Sequence, residues 1–307
     1  MKISGVKQDL GRLGAALGTK LRNLFPHGAT ADIWERVEAR LSRDGPFRAS
    51  DRIRIGPAEH PLSVSRMAVG TGTGGWLGSS NQTKKLGVDG LADLLVAAFE
   101  EHGINCWDSA DQYGSHPHVA KALKRVDRSK VVVLTKTCAT TAAGMREELD
   151  RFRRELDTDY IDILLLHCMT SGRWPAEMEP VKAVIAEAQA AGIVRVKGVS
   201  CHSLAALKAA VNDPWVDLDL ARINPDGQQM DAAPNEIVPL LDRMKANGKT
   251  VMGMKLFGGG ALADERREAC LRFALGLDCV DCFTIGFESR AEMEETIALL
   301  EAIRGQE

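Results

Sequence analysis

Four side chains suited to proton-transfer chemistry stand at or just past the ends of short apolar runs. Asp108 closes the run from Gly103 to Trp107, and Tyr113 follows five residues later, ahead of the chain-turning Gly114. Lys136 follows Val131-Val132-Val133-Leu134-Thr135, and His167 follows Ile161-Asp162-Ile163-Leu164-Leu165-Leu166. A free phenol has a pKa of about 10, too high for acid catalysis near neutral pH without help. An ammonium beside it stabilises the phenolate and draws that pKa down. A carboxylate would keep the ammonium charged and aimed. Tyr113 is therefore the candidate proton donor, Lys136 and Asp108 the supporting pair, and His167 the group that holds a substrate oxygen beside the phenol. Each alone reads as an ordinary solvated or structural residue; four at the ends of successive runs point to function.

The elements that would position them repeat regularly from Arg66 onward. Strand-like runs occur at Met67–Gly70, Ile104–Asp108, Val131–Lys136, Ile161–His167, Val194–Ser200, Val216–Ile223, Thr250–Lys255 and Val280–Ile285. Helical stretches alternate with them, and Gly103, Gly192 and Gly248 close three. Eight such units in about 240 residues approach the ~250 of an eight-stranded parallel barrel, and favour it over an open doubly wound sheet. Chemistry in such architectures gathers at the C-terminal strand ends. Ahead of the barrel, Arg52–Gly56 and Leu62–Ser65 alternate in polarity around Gly56-Pro57, which predicts a short β-hairpin.

Residues 1–50 read as a helical extension and 51–307 as the barrel. Val6, Leu10, Leu13, Leu17, Leu21 and Leu24 make one apolar helical stripe with lysines and arginines around it. A second helix is expected from Ala31 to Leu41, before Asp44-Gly45-Pro46. Docking on the barrel or on a second copy of the chain is the expected role, ahead of lying on a membrane surface.

A net charge of −3 gives no general argument for nucleic acid or an anionic membrane as partner. No apolar run reaches the ~18–20 residues that cross a bilayer. With no secretory signal in view and an odd number of cysteines, seven in all, a reduced cytoplasmic setting is expected.

Gly70-Thr71-Gly72-Thr73-Gly74-Gly75, Trp107-Asp108-Ser109-Ala110-Asp111-Gln112-Tyr113-Gly114-Ser115 and Leu134-Thr135-Lys136-Thr137 resemble motifs of the aldo-keto reductases. So do Asp159-Tyr160-Ile161-Asp162-Ile163-Leu164-Leu165-Leu166-His167 and Gly198-Val199-Ser200, in the family's order, over roughly Arg52 to Ile303. The resemblance implies a (β/α)8 TIM barrel in which Asp108, Tyr113, Lys136 and His167 match the catalytic tetrad. It further implies reduction of a small aldehyde or ketone by a reduced nicotinamide cofactor. By the same likeness Ser200 holds the nicotinamide carboxamide. Gly70, Thr71, Asn224, Lys255, Gly258, Gly260, Gly286, Ser289 and Arg290 fall in the cofactor-binding segments. The chain departs from the pattern where Cys201 replaces an Asn and Leu220 a Gln, and the stacking aromatic is not evident. Glu292 stands where an arginine often grips the 2′-phosphate, with Arg290 and Lys255 available to compensate; family habit leans to NADP(H) over NAD(H).

Other patterns carry less. Gly70–Gly75 satisfies G-x-G-x-x-G literally, but a polar stretch from Trp76 to Gly87 separates it from the expected helix, against a dinucleotide fingerprint. Cys279-Val280-Asp281-Cys282 has no second half, so buried inert thiols are expected. Cys138, Cys168 and Cys201 with His116, His118 and His202 are too scattered for a metal site, and no metal is expected. Trp76, Trp107 and Trp174 are candidates for the wall of a substrate pocket. The rival readings are a nucleotide-binding regulatory subunit with little activity, and a metal-dependent barrel hydrolase.

Overall fold

In a computed structural model, residues 28–305 are described. The apolar stripe of residues 6–24 lies outside them. Helix α1 (Ala31–Asp44) is followed by a hairpin of β1 (Arg52–Ile55) and β2 (Leu62–Ser65). Eight parallel strands then close a barrel: β3 (Met67–Gly70), β4 (Cys106–Asp108), β5 (Val132–Thr137), β6 (Ile161–Met169), β7 (Val194–Cys201), β8 (Leu218–Arg222), β9 (Thr250–Met254) and β10 (Cys282–Gly286), which pairs back onto β3. The order is sequential around the barrel, as expected from the eight units.

Successive side chains on a strand point to opposite faces, and this alternation sorts the barrel. Ala68, Cys106, Val132, Leu134, Ile163, Val196, Leu218, Met252 and Cys282 form one apolar cluster with Ile55, Leu62 and Val64 of the hairpin. The hairpin therefore seals the N-terminal end; Gly56 donates its N–H to Thr250 Oγ1 at 3.0 Å, and a Cβ on Gly56 would meet Val196. The intervening strand residues pack outward under the helices, including α2 (Asn81–Glu100), α3 (His116–Leu123), α4 (Ala142–Leu156), α5 (Glu179–Ala190), α6 (Leu204–Asn212), α7 (Pro234–Ala246), α8 (Arg267–Gly276) and α9 (Arg290–Ala302).

Helix α1 buries Ile33, Val37 and Leu41 and packs on α8. Gly276 lets the two backbones meet, since a Cβ there would stand 2.7 Å from the Val37 carbonyl oxygen. Helix α2 starts earlier than its apolar pattern suggests. Ser80 and Thr83 form a reciprocal capping box, and Gly87 at φ 64 kinks the helix where a loop was expected. Among the described residues no helix is long and apolar enough to cross a membrane.

Candidate active site

Inward parity puts Asp108 two residues above Cys106, Lys136 above Leu134 and His167 above Leu165, all near the C-terminal mouth. Lys136 Nζ donates to Asp108 Oδ1 and, at 2.8 Å, to the Ser109 carbonyl oxygen. It also lies 4.7 Å from the centre of the Tyr113 ring. Tyr113 meets His167 edge-on, with ring centres 5.5 Å apart. The four residues foreseen at strand ends thus converge.

The tyrosine stands in the turn Asp111–Tyr113, closed by Gly114 at φ 62; a Cβ at Gly114 would sit 2.0 Å from the Gly78 carbonyl oxygen. Gly72 and Gly75 flank the phenol ring. The glycines that mimic a phosphate loop are therefore the bed of the tyrosine. Beneath them Ser115 Oγ bonds to Ser109 Oγ at 2.7 Å and Thr71 Oγ1 at 2.8 Å, and Thr71 donates to the Asp108 carbonyl oxygen.

The electrostatics are set by burial. The Tyr113 phenol lies above its ordinary pKa because desolvation outweighs the opposing pull of Lys136. The Lys136 effect thus has the expected sign, while the net shift does not. Lys136 itself is raised: burial works against its charge, but Asp108 and then Tyr113 overcome that cost. Burial, with Lys136 and His202 nearby, pushes His167 down to about 2, so its imidazole is neutral at physiological pH. Its Nδ1 faces Cys138 Sγ at 3.8 Å, leaving Nε2 without a protein partner among the described residues.

Beside the tetrad a groove is lined by Gly70, Asp108 and Tyr113, by Lys255, Gly259 and Gly260, and by Gly286, Glu288, Glu292, Asp264 and Arg267. Gly258, Gly259 and Gly260 all have positive φ, and nothing lies within 4 Å of a Cβ placed on Gly260. Such exposed backbone suits close approach by a phosphate. Ser200 Oγ and Thr284 Oγ1 point inward beneath the mouth and are buried without a hydrogen-bond partner. A dinucleotide fits this combination: open backbone for its phosphates and, on the groove itself, the orphaned Thr284 hydroxyl for a polar ring substituent.

Several expectations change. Thr71 is fully buried and its hydroxyl is committed to the network just described, so it positions the strand ends instead of meeting a ligand. Asn224 is buried, with its amide spent on the Gln228 and Lys255 carbonyls and on the Asp226 and Gln228 N–H groups. Gly258 lies buried in its turn. Ser289 caps α9 by accepting from the Glu292 N–H at 3.2 Å. Arg290 is exposed and paired with Glu101 and Glu294, away from the groove. Trp107 is 0% exposed, because an inward Asp108 forces its neighbour outward under the helices. Trp174 is 1% exposed and packs edge-on to Trp215, donating its indole N–H to the Ala206 carbonyl oxygen. Neither tryptophan walls the pocket. Trp76 does stand at the mouth, 49% exposed, with its ring centre 6.0 Å from that of His167.

Cys279 and Cys282 are buried, and desolvation raises both thiols. Among the described residues Asp111, His116 and Glu155 bring ligand atoms within 4.8 Å of one another. Arg151 already pairs with both carboxylates, and His116 uses both ring nitrogens on Glu155 and Thr135. Sequence reading missed Arg267, Asp264 and Thr284 on the groove and Arg222 at the mouth. Arg222 contacts His202 and pairs with Asp231 at 3.3 Å; inward parity at the end of β8 was the available signal.

The fold and site define a parallel eight-stranded barrel with a tyrosine, lysine, aspartate and histidine gathered beside a glycine-lined groove. The family model "Aldo/keto reductase family" matches residues 66–270, more than half of the chain, and the protein belongs to that family. It is 30% identical to the aldo-keto reductase YhdN of Bacillus subtilis over 167 residues, 48% of this chain and 46% of that protein. The match thus spans about half the length of that relative. Among solved structures, PA4992 of Pseudomonas aeruginosa, assigned to the aldo-keto reductases, superposes with a TM-score of 0.68 at 20% identity, covering 83% of this chain and 96% of that one. The aldo-keto reductase AKR2E5, solved with NADPH, gives 0.64 at 15% identity, covering 85% and 86%. At such identities these structures speak to the fold alone.

Proposed function

We propose that this protein reduces an aldehyde or ketone to an alcohol, using a nicotinamide dinucleotide held in the groove. The observation that carries this reading is the convergence of Asp108, Lys136, Tyr113 and His167 next to exposed glycine backbone. Bound there, a reduced nicotinamide supplies the hydride that adds to the carbonyl carbon. Tyr113 gives its proton to the carbonyl oxygen as charge develops there. Neutral His167 donates a hydrogen bond to the same oxygen and fixes its direction. Lys136, kept charged by Asp108, stabilises the phenolate left on Tyr113 until it is reprotonated from solvent. Lys255 and the exposed backbone of Gly259 and Gly260 hold phosphate oxygens, and Ser200 holds the carboxamide. Trp76 offers an apolar face to the substrate, and Arg222 with Lys255 adds positive charge on the β8–β9 side.

One observation favours a second reading. Leu220 lines the groove and Cys201 is buried, so Ser200 alone replaces a set of polar contacts. A protein that binds nucleotide as a signal would tolerate that loss better than an enzyme. Absorbance assays of reduced dinucleotide oxidation with aldehydes, quinones and sugars separate the two. Turnover of any carbonyl compound supports the reductase, and tight binding with no turnover across the panel supports the sensor. Absence of binding to NADH and NADPH at millimolar concentration would sink both.

A further inference from the structure

The charge at the end of the groove formed by the segments leading into α8 and α9 has the wrong sign for an extra phosphate. Three carboxylates, Asp264, Glu288 and Glu292, line it against one guanidinium, Arg267. That guanidinium is already engaged: its Nε lies 3.0 Å from Asp264 and its NH2 3.7 Å from Glu292. Lys85 is paired with Glu288 at 3.3 Å.

The start of α9 is also occupied. A helix N-terminus ordinarily welcomes an anion through its free N–H groups. Here Ser289 Oγ accepts from the Glu292 N–H, and the Glu292 carboxylate turns back to accept from the Glu288 N–H at 2.8 Å. The chain has supplied its own anion. Arg290, the cation nearest in sequence, turns outward to Glu101 and Glu294.

We propose that this end of the groove selects NAD(H) against NADP(H), with Glu292 as the specificity-determining residue. The inference rests on the dinucleotide reading above. With the nicotinamide beside Tyr113, the proposal seats the adenosine ribose at this end. A carboxylate can accept hydrogen bonds from ribose hydroxyls, whereas a 2′-phosphate brings about two further negative charges toward Glu292, Glu288 and Asp264.

The test is fluorescence titration of the full chain with NADH and NADPH, with displacement by AMP and by adenosine carrying both 5′- and 2′-phosphates. NADH should bind at least about tenfold more tightly, a difference of ~1.4 kcal/mol, and the 2′-phosphorylated adenosine should displace it poorly. Glu292→Gln keeps a side-chain oxygen for the Glu288 N–H and removes the charge. It should tighten NADPH about tenfold and leave NADH unchanged or weaker, so that the NADH-to-NADPH preference falls by at least about tenfold. NADPH binding as tightly as NADH in the unaltered protein overturns the selection and leaves the dinucleotide reading intact. An unchanged affinity ratio in Glu292→Gln overturns the role of Glu292. Binding of neither cofactor removes the dinucleotide reading and this proposal with it.

Discussion

Gly72 lies so close to Tyr113 that a Cβ in its place would stand 2.1 Å from the ring's Cε2, and a Cβ at Gly75 would stand 2.4 Å from Cδ1 on the other edge. The phenol that bears the proposed proton is thus positioned by the absence of two side chains. Gly72→Ala should push the ring aside by several tenths of an ångström or more. Because misplacing a reacting group by about 1 Å can cost ~100-fold, kcat should fall by about that factor. Circular dichroism should remain that of the parent. Unchanged kcat would show that the ring's position is not set from this side.

Removing the proton donor is the complementary experiment. Tyr113→Phe deletes the hydroxyl and keeps the ring between its glycines. Turnover should fall by ~100-fold to ~10,000-fold, the range for a lost general acid, while the dinucleotide Kd stays within about twofold. Activity that survives this change assigns the proton to another group.

Much of this site is legible in the sequence, for a local reason. Strand alternation ties Asp108, Lys136 and His167 to the barrel interior once Cys106, Leu134 and Leu165 are taken as core. The same alternation, carried one residue back, would have sent Trp107 outward and removed it from the pocket. The role of Gly72 was not legible, because it depends on a ring brought back from Tyr113 after a whole strand–helix unit. Asn224 and Arg290 misled for a related reason. The Lys255 carbonyl that holds Asn224 and the Glu101 carboxylate that holds Arg290 come from other segments that no local pattern connects to them. The early start of α2 was within reach, since Ser80 and Thr83 have capping-box spacing.

Trp76 is the exposed aromatic closest to the proposed chemistry, with its indole tilted over His167. An apolar or aromatic aldehyde should use it as a wall. Trp76→Ala should raise KM for such substrates about tenfold, on the scale of ~1–2 kcal/mol for a lost aromatic contact, and leave KM for the smallest aldehydes unaltered. A uniform rise across the series would place Trp76 in loop packing instead.

His167 and His202 lie well below the ordinary imidazole value, at about 2 and about 3, through burial and neighbouring cations. Below pH ~6.5 the unfolded chain binds protons at these histidines and the folded chain does not, so the stability they confer is complete above that value and is lost as pH falls. The histidine contribution to the denaturant midpoint should therefore fall between about pH 6.5 and pH 4, so on acidification over that window His202→Asn should lose less stability, or gain more, than the parent protein. The activity profile should show no ionisation from His167 between about pH 5 and pH 8. A histidine titration observed by NMR near its ordinary value for His167 would contradict the neutral hydrogen-bond donor assigned to it.

Asp219 presents the opposite case. It points outward from β8 into the layer beneath the helices, fully buried, and neither carboxylate oxygen has a nitrogen or oxygen partner among the described residues. The polar groups around it are the Cys201 thiol, Asp231 and Lys249, and burial raises its pKa from 3.8 to about 7. From pH ~4 to pH ~7 the folded chain holds a proton there that the unfolded chain has released, so stability declines as pH rises through that window. Asp219→Asn keeps the shape and removes the charge that must be ionised above it. The substitution should stabilise the protein by ~2–4 kcal/mol at pH 8 and by less than about 1 kcal/mol at pH 4.5. Equal effects at the two pH values would mean that Asp219 is not protonated in the folded protein. Stabilisation only at the higher value would make this residue a fixed cost of the β8 framework that carries Leu220 and Arg222 to the mouth.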